Sequence, residues 1–149
     1  MSVTYGGAGF RLSLLSSIGQ YLQEKGVGKW TIPWAATDTA ISVDVLPSSP
    51  DKAIALTLYT VANPGGTDAV MGLQLRIRGK PGNRTEDKDI LDKAEDALHG
   101  LRNITWAGIP IVYVEHKSGT SLGTDSANRL EHTQNYYITL TRTGLNRED

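Results

Sequence analysis

The sequence predicts an α/β protein of the α+β kind: a mostly antiparallel sheet of about five strands with two helices packed on one face. Three observations carry that expectation. Two segments repeat apolar residues at helical spacing, several others alternate apolar with polar residues, and the connections between the early strands are too short for helical crossovers. At 149 residues the chain fits one domain, a length at which folding buries about 68–70% of the unfolded surface.

The first helix is expected from about Phe10 to Lys25. Leu12, Leu15, Ile18 and Leu22 form a helical stripe that Leu14 and Tyr21 widen, and Gly26 suits the left-handed backbone that ends a helix. The segment 27–34 reads as an irregular aromatic loop. Trp30 and Trp34 there are lids over the core or, alternatively, anchors at a protein interface. Ile41-Ser-Val-Asp-Val45 alternates as a half-buried strand does, and Pro47, Ser48, Ser49, Pro50 and Asp51 make a turn. The next strand runs from about Lys52 to Val61, with Ile54, Leu56 and Leu58 facing one way. After a loop at Asn63-Pro-Gly-Gly66, Met71, Leu73, Leu75 and Ile77 mark a third strand. Its other face carries Gln74, Arg76, Arg78 and Lys80 as one polar stripe. Antiparallel pairing is expected among these strands.

The second helix is the clearest element. Ile90, Leu91, Ala94, Ala97 and Leu98 share one face, Thr85 or Asp87 can cap the start, and Glu86, Asp87 and Asp89 sit at the positive end of the helix dipole. Gly100 ends it, and His99 in the last turn reads as structural. A fourth strand follows from Ile109 to His116, with Ile109, Ile111 and Tyr113 opposite Val112 and Val114. Ser118 to Asn128 is rich in turn formers and reads as a long loop, of the kind that is functional or mobile in a compact domain. The fifth strand spans about Leu130 to Arg142, with Tyr136, Ile138 and Leu140 on one side, and the tail from Thr143 to Asp149 is expected to fray.

Composition narrows the function. The chain has no cysteine, which removes disulfides, thiolate nucleophiles and Cys-rich zinc sites, and fits a reducing cytoplasm. A formal net charge of −1 argues against a dedicated polyanion binder. No apolar run approaches the roughly 20 residues that cross a bilayer, and Met1 to Gly7 lacks the regions of a signal peptide, so a soluble intracellular protein is expected. Asn83-Arg-Thr85 and Asn103-Ile-Thr105 match the glycosylation triplet by chance on that reading.

No catalytic constellation emerges. His99, His116 and His132 sit on three different elements; the last two flank the long loop and read as cross-strand neighbours ahead of metal ligands. No serine lies in a nucleophile elbow, and Tyr5-Gly-Gly-Ala-Gly9 lacks both the Lys-Ser/Thr pair and the preceding strand of a phosphate loop. No cofactor or metal is therefore expected. Arg76, Arg78 and Lys80, with Arg84 nearby, are the best sign of a partner. They read as a solvated strand face that meets acidic groups of a neighbouring subunit, with nucleic-acid contact as the alternative.

The succession of motifs resembles a known family. Gly26-Val-Gly-Lys-Trp30, Leu46-Pro-Ser-Ser-Pro-Asp-Lys-Ala-Ile-Ala-Leu-Thr-Leu-Tyr59, Gly72-Leu-Gln-Leu-Arg-Ile-Arg78, Asp96-Ala-Leu-His-Gly100, Ser121-Leu-Gly-Thr-Asp-Ser-Ala-Asn-Arg-Leu-Glu131 and Tyr136-Tyr-Ile-Thr-Leu140 follow one another as in the tail terminator proteins of long-tailed bacteriophages, also labelled minor capsid or tail-completion proteins. The resemblance covers nearly the whole chain. It implies a virion protein without enzymatic activity, assembled in the host bacterial cytoplasm as a ring, commonly a hexamer, at the head-proximal end of the tail tube. Its implied partners are further copies of itself, the tube protein and the head's connector, with DNA passing through the bore and no membrane involved. A head-side connector, stopper or adaptor of the same neck region is the alternative. Arg76 and Arg78 are the expected intersubunit or bore-lining charges. Axial contacts are expected from the loop Asn63 to Asp68 and from Ser118 to Asn128, which includes Leu122 and Asp125.

Overall fold

A computed structural model describes residues 9–64 and 66–142. The elements run α1 (Phe10–Glu24), β1 (Ala40–Val43), β2 (Ala53–Ala62), β3 (Asp68–Pro81), α2 (Glu86–Leu98), β4 (Arg102–Trp106), β5 (Ile109–Thr124) and β6 (Arg129–Thr141). The expected frayed tail from Thr143 and the glycine-rich start at Tyr5 lie outside the described residues, as does Gly65 in the loop after β2.

The fold is α+β, and its sheet has six strands in the order β1-β2-β3-β6-β5-β4. Strand period explains which side is buried. Ile54 pairs with Ile77 and Leu56 with Leu75, while Met71 pairs with Ile138 and Leu73 with Tyr136, so these residues share one face. Leu14, Ile18 and Leu22 of α1 and Ile90, Ala94 and Leu98 of α2 join the same buried cluster. Burying a side chain of this kind contributes about 1.5–3 kcal/mol, so the large apolar side chains of this face supply most of the burial. The Tyr21 hydroxyl donates to the Ala97 carbonyl at 2.6 Å and ties the two helices together. Both helices end as expected, with Gly26 and Gly100 in the left-handed region at φ 75° and 87°.

Four differences from the sequence reading matter. First, β1 pairs with β2 in parallel, Ala40 opposite Ala53 through Val43 opposite Leu56, where antiparallel pairing was expected. A four-residue strand is only about 13 Å long, so the segment 44–52 can return the chain to its start without a helix. Second, Arg102 to Trp106 forms a strand that the sequence did not reveal. It joins β5 through Ala107 and Gly108, both at positive φ, the backbone of a tight hairpin turn.

Third, most of the expected loop 118–128 is strand: β5 continues to Thr124 and pairs with β6 as far as Thr124 opposite Leu130. Only residues 125–128 turn. The Asp125 carboxylate accepts the N–H groups of Ala127 and Arg129, both at 2.9 Å, and the Arg129 guanidinium at 2.8 Å. Fourth, the inside-outside alternation expected for 109–116 breaks. A register shift between Ile111 and Tyr113 puts Val114 in the core beside Ile109 and Ile111, and leaves Val112 exposed.

Candidate functional site

The face of the sheet away from the helices is polar and open. Across its middle, Tyr59, Gly72, Tyr137 and Glu115 form one row and Thr57, Gln74, Asn135 and Ser118 the next. Asn135 Oδ1 accepts from the Tyr59 hydroxyl at 3.2 Å and from Gln74 Nε2 at 3.4 Å. The Lys117 ammonium lies over the Tyr137 ring, 5.2 Å from its centre. Arg76 stands on this face and grips Glu131 through Nε and Nη2, both at 2.6 Å. Half of the Arg76 side chain remains in solvent whereas Glu131 is buried, so the pair presents a guanidinium edge to whatever approaches.

The expected solvated stripe is broken at Arg78, which is buried at 3% exposure. Its Nε donates to the Asp51 carbonyl at 2.8 Å, and its Nη2 to the carbonyls of Pro47 at 2.6 Å and Pro50 at 2.8 Å. The loop that returns the chain from β1 to β2 folds over this end of the sheet, and the fork of Arg78 satisfies carbonyls that its tight turn leaves unpaired. Burial, and then the field of Arg129, push the Arg78 guanidinium below its ordinary range. Arg129 supports the same turn by donating to the Ser48 carbonyl at 2.8 Å. Arg78 is therefore a clamp on the Pro47–Asp51 turn and not a free surface charge.

The remaining expected contact residues separate. Lys80 is exposed and lies 3.6 Å from Glu86 at the start of α2. Asn63 is exposed just past β2, and Asp68 is the first residue of β3. Ser118 and Leu122 stand exposed on β5. Asp125 and Asn128 sit in the hairpin turn at its far end, Asn128 in the left-handed region at φ 60°. Asp125 is engaged within the turn. Desolvation would raise its pKa, but the hydrogen bonds from Arg129 and Ala127 outweigh that and hold the carboxyl below its ordinary range.

Trp30 packs against the core as a lid, its N–H held by Gln23 Oε1 at 2.8 Å, while the Trp34 ring N–H donates to the Lys29 carbonyl at 2.9 Å. The two strand histidines are not brought together. His116 lies opposite Tyr136 and contacts Gln134 Oε1 at 3.0 Å, whereas His132 lies opposite Ser121 and contacts the buried Asp87 at 3.0 Å. Asp87 thus turns inward, and the cap of α2 comes from Asn83, whose Oδ1 accepts the N–H groups of Thr85 and Glu86, both at 2.9 Å. His99, at the end of α2, accepts the His116 backbone N–H on Nδ1 at 3.0 Å, a structural role. Among the described residues no cluster of His, Asp and Glu has the makings of a metal site.

Comparison with known proteins gives two findings. A family described as bacteriophage tail terminator protein matches residues 21–142. In three dimensions the fold is similar to a chain in the virion of a native gene transfer agent (GTA) particle, with a TM-score of 0.64 and 15% identity over 87% of this chain and 95% of that one. No curated protein matches by sequence.

Proposed function

Because the chain belongs to the bacteriophage tail terminator family, and so to the structural proteins of the phage tail, we propose that it closes as a ring on the head-proximal end of the tail tube. There it ends tube polymerisation and offers the head's connector a surface to join. The supporting observation is the two-sided subunit: one sheet face is sealed by both helices, and the other stays open and polar around Arg76, Gln74, Asn135 and Tyr59. A ring of about six copies with helices outward turns that polar face to the bore, where a hydrated, weakly charged wall lets DNA pass without holding it. One rim matches the last ring of the tube. The other cannot accept another tube subunit, which is what stops growth. The loop at Asn63 to Asp68 and the hairpin tip at Asp125 to Asn128 are the proposed axial contacts.

Two measurements made side by side test this: the mass of the purified protein in solution, and an image of it bound to tails. A closed oligomer seated between tube and head is the expected result. A location on the head side of the joint, away from the tube, would instead identify a connector or stopper.

A further inference from the structure

Among the described residues the sheet leaves two stretches of strand edge unpaired, at opposite corners. On one side, β1 covers β2 only from Ala53 to Leu56, so among the described residues nothing pairs with the outer edge of 57–62. On the other side, β4 covers β5 from Ile109 to Tyr113, the Gly100 and Leu101 backbone holds Val114, and the His99 ring takes the His116 N–H. From Lys117 to Thr124 nothing among the described residues pairs with the outer edge of β5, and every residue is exposed. Soluble proteins ordinarily blunt such edges with proline, several lysines or a covering segment. Here neither edge contains proline, and Lys117 is the single lysine on the two. Each edge also carries an exposed apolar side chain, Val61 at 38% and Leu122 at 46%.

We infer that these edges are the two halves of one subunit contact: the 117–124 edge of one copy pairs antiparallel with the 57–62 edge of the next, so that the sheets of the ring join into one closed β-barrel. This rests on the ring reading above and adds how the ring is held. The contact is head-to-tail, the type that generates rings. Strand sense permits it, because β2 and β6 run one way and β3 and β5 the other, which sets β5 of one copy antiparallel to β2 of its neighbour.

The offset between the edges supplies an independent check. Through the ladder, Thr60 lies on the row of Met71 and Ile138, whereas Ser121 lies on the row of His132 and Gly119 on that of Gln134. All are on the helix side of the sheet. Setting Thr60 opposite Gly119 or Ser121 therefore needs a stagger of four or six residues per copy, about 13 or 20 Å at the usual strand rise. Each copy contributes four strands across, β2, β3, β6 and β5, about 19 Å wide. The strands must then tilt by about 35–45°, the tilt at which β-barrels close. The register shifts in β5 and near the end of β2 are the kind of irregularity that bends strands into a barrel wall.

The chain has no cysteine, so introduced thiols report without background. The test uses particles assembled with the Thr60→Cys/Ser121→Cys variant in place of the native protein. They are treated with a bis-maleimide of about 8 Å, a reach that covers both directly opposite and diagonal cross-strand neighbours. A ladder of linked copies up to the full ring is expected, with single-cysteine variants remaining monomeric. A reconstruction of the same particles should show strand density continuous from one copy's β5 to the next copy's β2. A ring whose neighbouring sheet edges stand apart, with no ladder, overturns the inference and leaves the ring reading intact. Absence of a ring at the tail end fails the ring reading itself.

Discussion

The indole of Trp30 lies against Gly19, so close that a Cβ on Gly19 would sit 2.3 Å from its Cε3 atom. A glycine in mid-helix costs about 1 kcal/mol relative to alanine, and here the missing side chain is the socket for the lid. Trp30 cannot easily withdraw, because its N–H and that of Thr31 are both held by Gln23. Gly19→Ala is therefore expected to lower stability by about 1–2 kcal/mol, overpacking outweighing the helix preference. Thermal unfolding reads this as a fall of a few degrees; an unchanged or higher Tm would show that Trp30 moves aside freely.

Arg76 and Arg78, two residues apart on one strand face, should behave in opposite ways. Arg78→Lys loses the planar fork that serves the carbonyls of Pro47, Pro50 and Asp51, and is expected to cost about 2–3 kcal/mol, at 1.5–3 kcal/mol per charge-assisted bond. Arg76→Lys keeps a charge beside Glu131 on a half-exposed site, and its expected cost is below about 1 kcal/mol. Denaturant titration of both variants checks the contrast. Equal losses would contradict the division into clamp and surface charge.

Tyr136 is buried, and its hydroxyl has no hydrogen-bond partner among the described residues. Desolvation first, then the fields of Glu95 and Asp96, raise its pKa well above the ordinary value for tyrosine. Tyr136→Phe is expected to leave stability unchanged or to raise it by up to about 1 kcal/mol, since it removes a buried polar group without uncovering another. The sign with pH follows from the raised folded pKa. The native protein's stability relative to the Phe variant is constant below about pH 10 and falls as pH rises beyond it, because the unfolded chain ionises first. A marked loss in the Phe variant at neutral pH would reveal a partner for the hydroxyl.

The hairpin tip should titrate. With its folded pKa depressed by Arg129 and Ala127, Asp125 stabilises the turn fully above the ordinary carboxylate range, and that contribution disappears as pH falls through the folded value. The stability difference between native protein and Asp125→Asn is expected to be greatest at neutral pH and to close on acidification. Amide exchange at Ala127 and Arg129 gives the local readout. A difference that does not change with pH would mean that the carboxylate's charge is unimportant there.

Much of the fold was legible because period and turn chemistry agreed. Both helices, their glycine ends and the apolar faces of β2, β3 and β6 follow from spacing alone. What was hidden depended on tertiary partners. Ser118-Gly-Thr-Ser-Leu-Gly-Thr124 has the composition of a loop, and it is a strand because β6 offers it a ladder; backbone pairing outweighed weak local preference. The Ala107-Gly108 turn hides β4, since alanine is an unusual residue at positive φ and gives no hairpin signal. Arg78 sits correctly on the polar face, but sequence spacing cannot show that the Pro47–Asp51 turn folds over that face and takes up its guanidinium. Spacing alone put Arg76 on the polar strand face where the structure has it, and the free edges became visible only once β1 and β4 were seen to cover half of each side.

The most direct measurement of the central claim is the length and attachment of tails made without this protein. Deleting its gene is expected to give tubes of uncontrolled length, or tubes that never join heads, with both defects restored by supplying the native chain. Tails of normal length attached to filled heads in the deletion strain would contradict the account.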